Sequence, residues 1–284
     1  MRKLQGLTKE KLAELYITDK KSLEDIGKLY GVSRAAVYDK LKKFNIGHRS
    51  KSQARLEAQK QGKIPQQYFH INEGFFSQWS ANMAYILGLI ITDGCVSQTG
   101  NVSLSMNEKD LLEKVRQAMD SEHKITPSKH QKGLYYFNFA RERIVNDLAN
   151  FGILPNKSMN VEFPNIPEEF MADFIRGVFD GDGSVFFEKR SKDYPVRSSF
   201  VSSSRNFIVK LEEKLQEIGL PKRVIYEQET KNGISYMFRY GHSDSKKLFN
   251  ILYKKVPDSI FLERKHRKFQ EGFSISIGDT SNGK

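Results

Sequence analysis

The 284-residue chain carries a formal net charge of +12 and a single cysteine, Cys95. One cysteine excludes a disulfide framework and a cysteine-based zinc site and is typical of a reducing compartment, so we expect a cytoplasmic protein. No run approaches the roughly 20 apolar residues that a membrane span needs, and the first residues lack the apolar segment of a signal peptide. The sequence therefore predicts no membrane partner. The positive charge favours an anionic partner, of which nucleic acid is the commonest.

The N-terminal segment predicts two short helices joined by a tight turn. Apolar residues recur at helical spacing before Gly31 and again after it, and Ser33 can cap the second helix. Such a pair forms a helix-turn-helix, and an earlier helix at about residues 9–16 would complete its core. The second helix of this motif enters the major groove of DNA, although a small bundle that binds protein is the alternative. The candidate DNA contacts here are Ser33, Arg34, Tyr38 and Lys40.

Two segments farther along the chain share one pattern. Residues 86–94, ILGLIITDG, align with residues 175–183, IRGVFDGDG, so that Asp93 corresponds to Asp182. The elements predicted after each segment also repeat, and each half is predicted to run α-β-β-α-β-β-α. An aspartate at a helix C-terminus is disfavoured by the macrodipole by up to about 1 kcal/mol, and a bound cation would account for it. Asp180 aligns with an isoleucine, so we interpret it as structural.

These residues resemble the motifs of the two-repeat, single-chain LAGLIDADG homing endonucleases. Both copies are partial matches that keep the middle glycine and the final Asp-Gly, and the resemblance covers roughly residues 75–270. It implies an α+β fold in which two pseudo-symmetric αββαββα repeats form a saddle of antiparallel sheets, beside a small all-α helix-turn-helix domain. The expected segments are a helix-turn-helix domain at 1–49, a basic and partly helical linker at 50–74, the first repeat at 75–163, the second repeat at 164–272 and a C-terminal tail at 273–284.

The paired motifs predict a metal site. Two helices can pack backbone to backbone only where small residues lie at the contact, so we expect Gly88 and Gly177 in the helix interface. That contact would bring Asp93 and Asp182 together, and their oxygen ligands suit Mg²⁺, with Mn²⁺ or Ca²⁺ able to occupy the same site. The family also implies a contribution from the carbonyl group that precedes each aspartate. The candidate metal ligands are therefore Asp93, Asp182, Thr92 and Gly181.

The resemblance implies further residues around this site. The family often places a lysine near the scissile phosphate, after the last helix of each repeat, where Lys157 and Lys265 lie; a solvated lysine is the alternative in each case. An ammonium there would balance developing charge. Asn107 and Ser204 follow matching strands, where the family usually has a polar residue that orients the water shell.

The strands of each repeat could lie along a major groove, as the family's curved sheets do. Side chains alternate between the two faces of a strand, and polar or charged residues on one face are candidate contacts to phosphates or bases. Ordinary exposed charges are the alternative. The candidates are Ser97, Thr99, Ser103, Ser105, Lys129, Lys132, Glu188, Arg190, Lys192, Arg197 and Arg239.

The resemblance implies a metal-dependent, site-specific endonuclease that cuts both strands of a long asymmetric DNA target as a monomer. An RNA-binding intron maturase, with RNA as its partner, remains open. A transcription regulator with an inactive nuclease fold is the other alternative, against which the presence of both Asp93 and Asp182 argues. Met1 in place of Cys or Ser, and a C-terminus without a His-Asn pair, lead us to expect a free-standing or intron-encoded protein rather than an intein.

Overall fold

The computed structural model describes residues 6–63, 69–155, 161–188, 195–230, 233–253 and 260–278. The chain divides into two compact units, Met1–Tyr68 and Phe69–Lys284. No helix in the described part of the chain has the length and apolar character needed to cross a membrane.

The described part of the N-terminal unit is helical. Its helices are α1 (Lys9–Ala13), which continues as one π-helical stretch (Glu14–Thr18), α2 (Leu23–Tyr30), α3 (Arg34–Lys43) and α4 (Lys51–Lys60). Helix α2 ends at Gly31, whose φ of 61° is readily adopted only by glycine. Helix α3 begins after Ser33, whose hydroxyl accepts the backbone N–H of Ala36 at 3.2 Å. The side chains of Ile26 and Val37 are fully buried between the helices. The predicted helix-turn-helix is confirmed.

Helix α4 lies in the segment that the sequence predicts as a linker, and it belongs to the N-terminal unit. Just before it, Arg49 donates hydrogen bonds to the carbonyl oxygens of Tyr16 and Lys21, and its guanidinium lies 4.2 Å from the centre of the Tyr16 ring. Just after it, Lys63 pairs with Asp25 at 2.5 Å. Helix α4 is therefore anchored at both of its ends to the preceding part of the N-terminal unit.

The C-terminal unit contains two copies of one element order. The first copy consists of α5 (Ala81–Asp93), β1 (Gly94–Val96), β2 (Val102–Met106), α6 (Lys109–Ala118), β3 (Ile125–Pro127), β4 (Tyr135–Phe139) and α7 (Glu142–Asn150). The second copy consists of α8 (Met171–Asp182), β5 (Ser184–Phe187), β6 (Val196–Ser202), α9 (Arg205–Glu217), β7 (Tyr226–Thr230), β8 (Gly233–Tyr240) and α10 (His242–Tyr253). One further helix, α11 (Glu263–Gly278), comes after α10 and extends into the segment expected as a C-terminal tail.

Each repeat forms one four-stranded antiparallel sheet. The strand orders are β1-β2-β4-β3 and β5-β6-β8-β7, which are equivalent. Burial alternates along the strands: Val102, Leu104 and Met106 of β2 are buried, whereas Ser103 and Ser105 are partly exposed. The apolar faces of both sheets and the motif helices share one core. The predicted α+β class and repeat order are confirmed.

Candidate active site

The two motif helices, α5 and α8, touch through their backbones. A Cβ atom on Gly88 would lie 2.8 Å from the nitrogen of Val178 and 3.0 Å from the carbonyl carbon of Gly177. A Cβ atom on Gly177 would lie 2.9 Å from the carbonyl carbon of Tyr85. Because the obstructing atoms belong to the backbone, no side chain can turn away to make room. Gly88 and Gly177 therefore lie in the helix contact.

This contact brings the C-terminal ends of the two helices together. Asp93 is the last residue of α5, and Asp182 is the last residue of α8. A Cβ atom on Gly181 would lie 2.7 Å from the Cβ of Thr92 and 3.1 Å from Oδ2 of Asp93. The carboxylate of Asp93 thus reaches the end of the opposite helix. Asp182 is exposed and Asp93 is half-buried, so both carboxylates are accessible from solvent.

A glycine comes directly after each aspartate and lets the chain turn from helix to strand. The N–H of Gly94 donates to the carbonyl oxygen of Ile90, and that of Gly183 donates at 2.9 Å to Phe179. A Cβ atom on either glycine would lie 2.5 Å from the same carbonyl oxygen. A glycine after each aspartate is therefore required by the geometry of the helix end.

Lys265 lies near the start of α11 and is 4% exposed. Its ammonium donates hydrogen bonds to three consecutive carbonyl oxygens at the end of α8, those of Phe179 (2.6 Å), Asp180 (2.8 Å) and Gly181 (3.0 Å). Burial lowers its pKa to about 8, although the negative charges of Asp180, Asp93 and Asp182 oppose the shift. A cation at this position complements the negative end of the helix dipole. The lysine is thus on a helix, not in a loop, and the alternative of a solvated side chain is wrong.

Thr92, in the last turn of α5, makes its hydrogen bonds within its own helix. The hydroxyl of Thr92 donates to the carbonyl oxygens of Gly88 (3.2 Å) and Leu89 (3.0 Å) of its own helix. The carbonyl of Gly181, one of the candidate metal ligands, accepts a hydrogen bond from Lys265. Lys157, the candidate of the first repeat, lies outside the described residues.

Asp180 is buried and accepts three hydrogen bonds. The hydroxyl groups of Tyr85 (2.8 Å) and Tyr253 (2.6 Å) and the backbone N–H of Leu262 (2.7 Å) donate to its carboxylate. Burial raises the pKa of Asp180, while these donors and the nearby Lys265 oppose the shift. The network joins α5, α8, α10 and the segment before α11. Asp180 is therefore structural, as its lack of a counterpart in the first repeat predicts.

The two residues expected to orient the water shell, Asn107 and Ser204, differ in their exposure to solvent. Asn107 is exposed after β2. Ser204 is 3% exposed, and its hydroxyl donates to the carbonyl oxygen of Val161 at 2.7 Å and accepts the N–H of Phe207 at 3.3 Å. The structure contradicts the expectation for Ser204, because its hydroxyl caps α9 and does not face solvent.

The strand candidates occupy varied positions. The hydroxyl groups of Ser97 and Thr99 lie 2.9 Å apart, and Arg197 pairs with Glu188 at 2.5 Å. Arg239 is exposed, with its guanidinium 5.9 Å from the centre of the Phe186 ring. The partly exposed candidates in β2 are Ser103 and Ser105, and the exposed ones in the β3–β4 turn are Lys129 and Lys132. Arg190 and Lys192 lie outside the described residues.

In the helix-turn-helix, Arg34 is exposed at the start of α3. Tyr38 packs against His48, and the ammonium of Lys42 lies 4.8 Å from the centre of the Tyr38 ring. Lys40 donates to the carbonyl oxygen of Leu7 at 2.8 Å and is partly buried. Its role as a DNA contact is therefore corrected to one within the fold, because its ammonium ties α3 to the chain before α1.

Sequence reasoning missed a basic depression beside Asp182. Four cationic side chains line it: Arg239, Arg264, Lys265 and Lys268. The residues that come directly after Asp182 in the chain line it as well. Arg264 also pairs with Glu108 of the first repeat at 2.9 Å. The run of charges at residues 263–268 is the sequence signal, but only the position of α11 shows that it adjoins the motif.

Comparisons with curated proteins give two relatives from Methanocaldococcus jannaschii. The chain is 26% identical over 199 residues to a probable translation initiation factor IF-2, an alignment that covers 66% of this chain and 16% of that protein. It is 24% identical over 173 residues to an uncharacterized protein, covering 56% of this chain and 62% of that protein. The chain thus spans less than two thirds of the length of either relative.

The chain is similar in fold to solved structures, two of which are the following. Meganuclease I-SmaMI bound to uncleaveable DNA is 13% identical, with a TM-score of 0.45 and coverage of 68% of this chain and 89% of that one. I-DmoI in complex with DNA and Mn is 16% identical, with a TM-score of 0.42 and coverage of 64% and 98%.

A family model described as LAGLIDADG-like domain matches residues 80–155 and again residues 169–252. The two matches contain the two motif helices and their sheets, and together they span more than half of the chain. This confirms the resemblance seen in the sequence: the chain belongs to the LAGLIDADG-like domain family.

Proposed function

We propose that the protein is a homing endonuclease that cleaves both strands of double-stranded DNA at one long, asymmetric site, acting as a monomer. The observation that carries this proposal is the convergence of Asp93 and Asp182 at the ends of two helices that touch at Gly88 and Gly177. Both motif helices belong to one chain, so one molecule contains both halves of the site. The two repeats differ in sequence, which favours a target whose halves also differ.

The donor set fits a hard divalent cation. Within the described residues, no three His, Cys, Asp or Glu side chains form a metal cluster, so the two carboxylates would hold the ion together with backbone oxygens, water or phosphate. Such oxygen ligands suit Mg²⁺, and Mn²⁺ or Ca²⁺ can take the same set. The ion would polarise the scissile phosphate and lower the pKa of a bound water. The exposure of Asp182 leaves room for those further ligands.

The chain's own residues would position the reacting groups. Lys265 holds the last turn of α8 through three carbonyl oxygens and so fixes the helix end that carries Asp182. Arg264 and Lys268 line the basic depression beside that aspartate and suit the phosphates on either side of the cleaved bond. Water is the nucleophile and the 3′ oxygen the leaving group, with short 3′ overhangs as the expected product.

The helix-turn-helix would extend the footprint on DNA. Arg34 is exposed at the start of α3, the part of a recognition helix that meets base edges. Removal of residues 1–68, the complete N-terminal unit, should weaken binding while some cleavage remains. Unchanged affinity for DNA would show that this unit does not contribute to DNA binding. Preferential retention of intron RNA by the full chain would favour the maturase alternative.

The active site is tested with Asp93→Asn and Asp182→Asn on a target selected from a randomised duplex library. Each variant should lose Mg²⁺-dependent cleavage and keep most of its binding in a gel-shift assay. Asp120→Asn is the matched control, because that carboxylate is exposed just after α6, where it pairs with His70. Cleavage at the wild-type rate by both motif variants would refute the proposal.

A further inference from the structure

Sheet register identifies two equivalent positions beside the motif aspartates. In the first repeat, Cys95 pairs with Ser103, which pairs with Asn138. In the second repeat, the corresponding row consists of Ser184, Ser199 and Arg239. Cys95 comes two residues after Asp93, as Ser184 comes two residues after Asp182. Asn138 in β4 and Arg239 in β8 are therefore pseudo-symmetric partners, each two strands away from the first strand of its repeat.

Both side chains leave the sheet on the face opposite the core. Phe137 and Phe139 are buried on either side of Asn138, which is exposed. Phe238 is likewise buried next to the exposed Arg239. Because successive residues of a strand point to opposite faces, each of the two side chains lies on the solvent-facing surface of its sheet.

The second of these positions adjoins the candidate active site. Arg239, Ser184 and Ser199 line the same depression as Asp182. The intervening residues are serines, so short side chains separate the arginine from the aspartate. The guanidinium of Arg239 lies near the Phe186 ring and donates to the sulfur of Met237 at 3.6 Å, contacts that limit its rotamers. By pseudo-symmetry, Asn138 bears the same relation to Asp93.

The side chains of Arg239 and Asn138 favour different bases in DNA. Arginine donates two hydrogen bonds to O6 and N7 of guanine, whereas an asparagine amide pairs with N6 and N7 of adenine. We propose that Arg239 and Asn138 determine specificity: Arg239 reads a guanine in one half-site and Asn138 reads an adenine in the other, at positions equally distant from the cleavage centre. This inference rests on the proposed function and adds base identities to it.

The test uses the full-length chain and a pool of randomised DNA duplexes, selected for binding in Ca²⁺ and then for cleavage in Mg²⁺. The wild-type target should contain guanine at one position and adenine at the position related to it by the pseudo-twofold axis. Arg239→Asn should change the guanine to adenine at its own position alone, and Asn138→Arg should do the converse. Each preference should be at least about tenfold. Arg205→Asn, an exposed substitution at the start of α9, should leave the selected sequence unchanged.

If Arg239→Asn loses all DNA binding, Arg239→Lys still tests the inference, because lysine keeps the charge and lacks the planar fork of arginine. It should retain affinity and a weaker preference for guanine, because lysine also donates to O6 and N7 but without the fixed geometry of the fork. Unchanged preferences in the exchange variants, or other bases in the wild-type target, would overturn the inference while the endonuclease proposal stands. If the wild type neither enriches nor cleaves any duplex, the proposed function fails and this inference fails with it.

Discussion

The contact between the motif helices predicts a large effect of one added methyl group. Gly177→Ala would place a Cβ atom 2.9 Å from the carbonyl carbon of Tyr85 and 3.1 Å from the Cα of Gly88, and closer still to the carbonyl oxygen of Tyr85. Ordinary van der Waals contact begins near 3.4 Å, so α5 and α8 would have to separate by about 0.5 Å or more. The ends that carry Asp93 and Asp182 would separate with them.

The expected cost depends on two opposing contributions. Overpacking of a close contact costs about 1–3 kcal/mol, and the upper end applies because backbone atoms cannot rotate away. Alanine has a higher helix propensity than glycine, which returns about 1 kcal/mol. We therefore expect Gly177→Ala to lower the free energy of unfolding of the C-terminal unit by about 2 kcal/mol. Cleavage should fall by more than DNA binding, because the two carboxylates move apart.

The assay can monitor the C-terminal unit by itself. The chain has one tryptophan, Trp79, which stacks on Phe170 and packs against Phe151, so its fluorescence during urea unfolding reports on this unit. Gly241→Ala is the matched control, because a Cβ atom there would have no neighbour within 4 Å; its stability should be close to that of the wild type. Equal stability and equal cleavage rates for Gly177→Ala and the control would refute the backbone contact.

Four further predictions concern ionisable side chains. Lys265→Met should lower the unfolding free energy by about 2 kcal/mol, because three carbonyl oxygens lose a charged donor; an unchanged value would contradict the capping of α8. The pKa of Lys265 is about 8 in the folded state and 10.5 ordinarily, so the unfolded chain binds more protons between these values. The wild type should therefore gain stability relative to this variant as the pH rises from 8 to 10. A difference in stability that stays constant over this range would contradict burial of the ammonium. Tyr253→Phe should cost about 1–3 kcal/mol because it removes a donor from the buried Asp180; wild-type stability in the same fluorescence assay would show that this bond contributes little. The pKa of Asp25 is lowered to about 2 by its hydrogen bonds from Lys63 and Ser22. The amide protection factors of α2 should therefore decrease as the pH falls from 4 to 2, by the equivalent of about 1 kcal/mol after allowance for solvent screening. The same decrease in Lys63→Met would exclude the ion pair as its cause.

The parts of the fold that depend on local pattern could be predicted from the sequence. The alternation in β2, the helical spacing around Gly31 and the repeated motif each depend on neighbours within a few residues. The motif glycines were predictable because only a close helix contact explains a glycine at the same place in two apolar helices. The equivalence of Asp93 and Asp182 came from the same alignment.

The parts that depend on distant contacts could not be predicted. The donors to Asp180 from Tyr85 and Tyr253 are 95 and 73 residues away in the chain. Lys265 stands among charged residues that resemble a solvated surface, and its burial depends on the carbonyl oxygens that α8 presents to it. The facing of Asn138 in a strand of five residues depends on register, where a shift of one residue reverses the face.

The buried lysine and the motif aspartates stabilise the helix end that they share. The end of α8 holds the buried ammonium of Lys265 against three of its carbonyl oxygens. The negative charges of Asp93 and Asp182 oppose the lowering of the pKa of Lys265, so the lysine and the carboxylates stabilise one another. A divalent cation bound between Asp93 and Asp182 would add to this stabilisation, because it would neutralise the two carboxylates and face the negative ends of both helices.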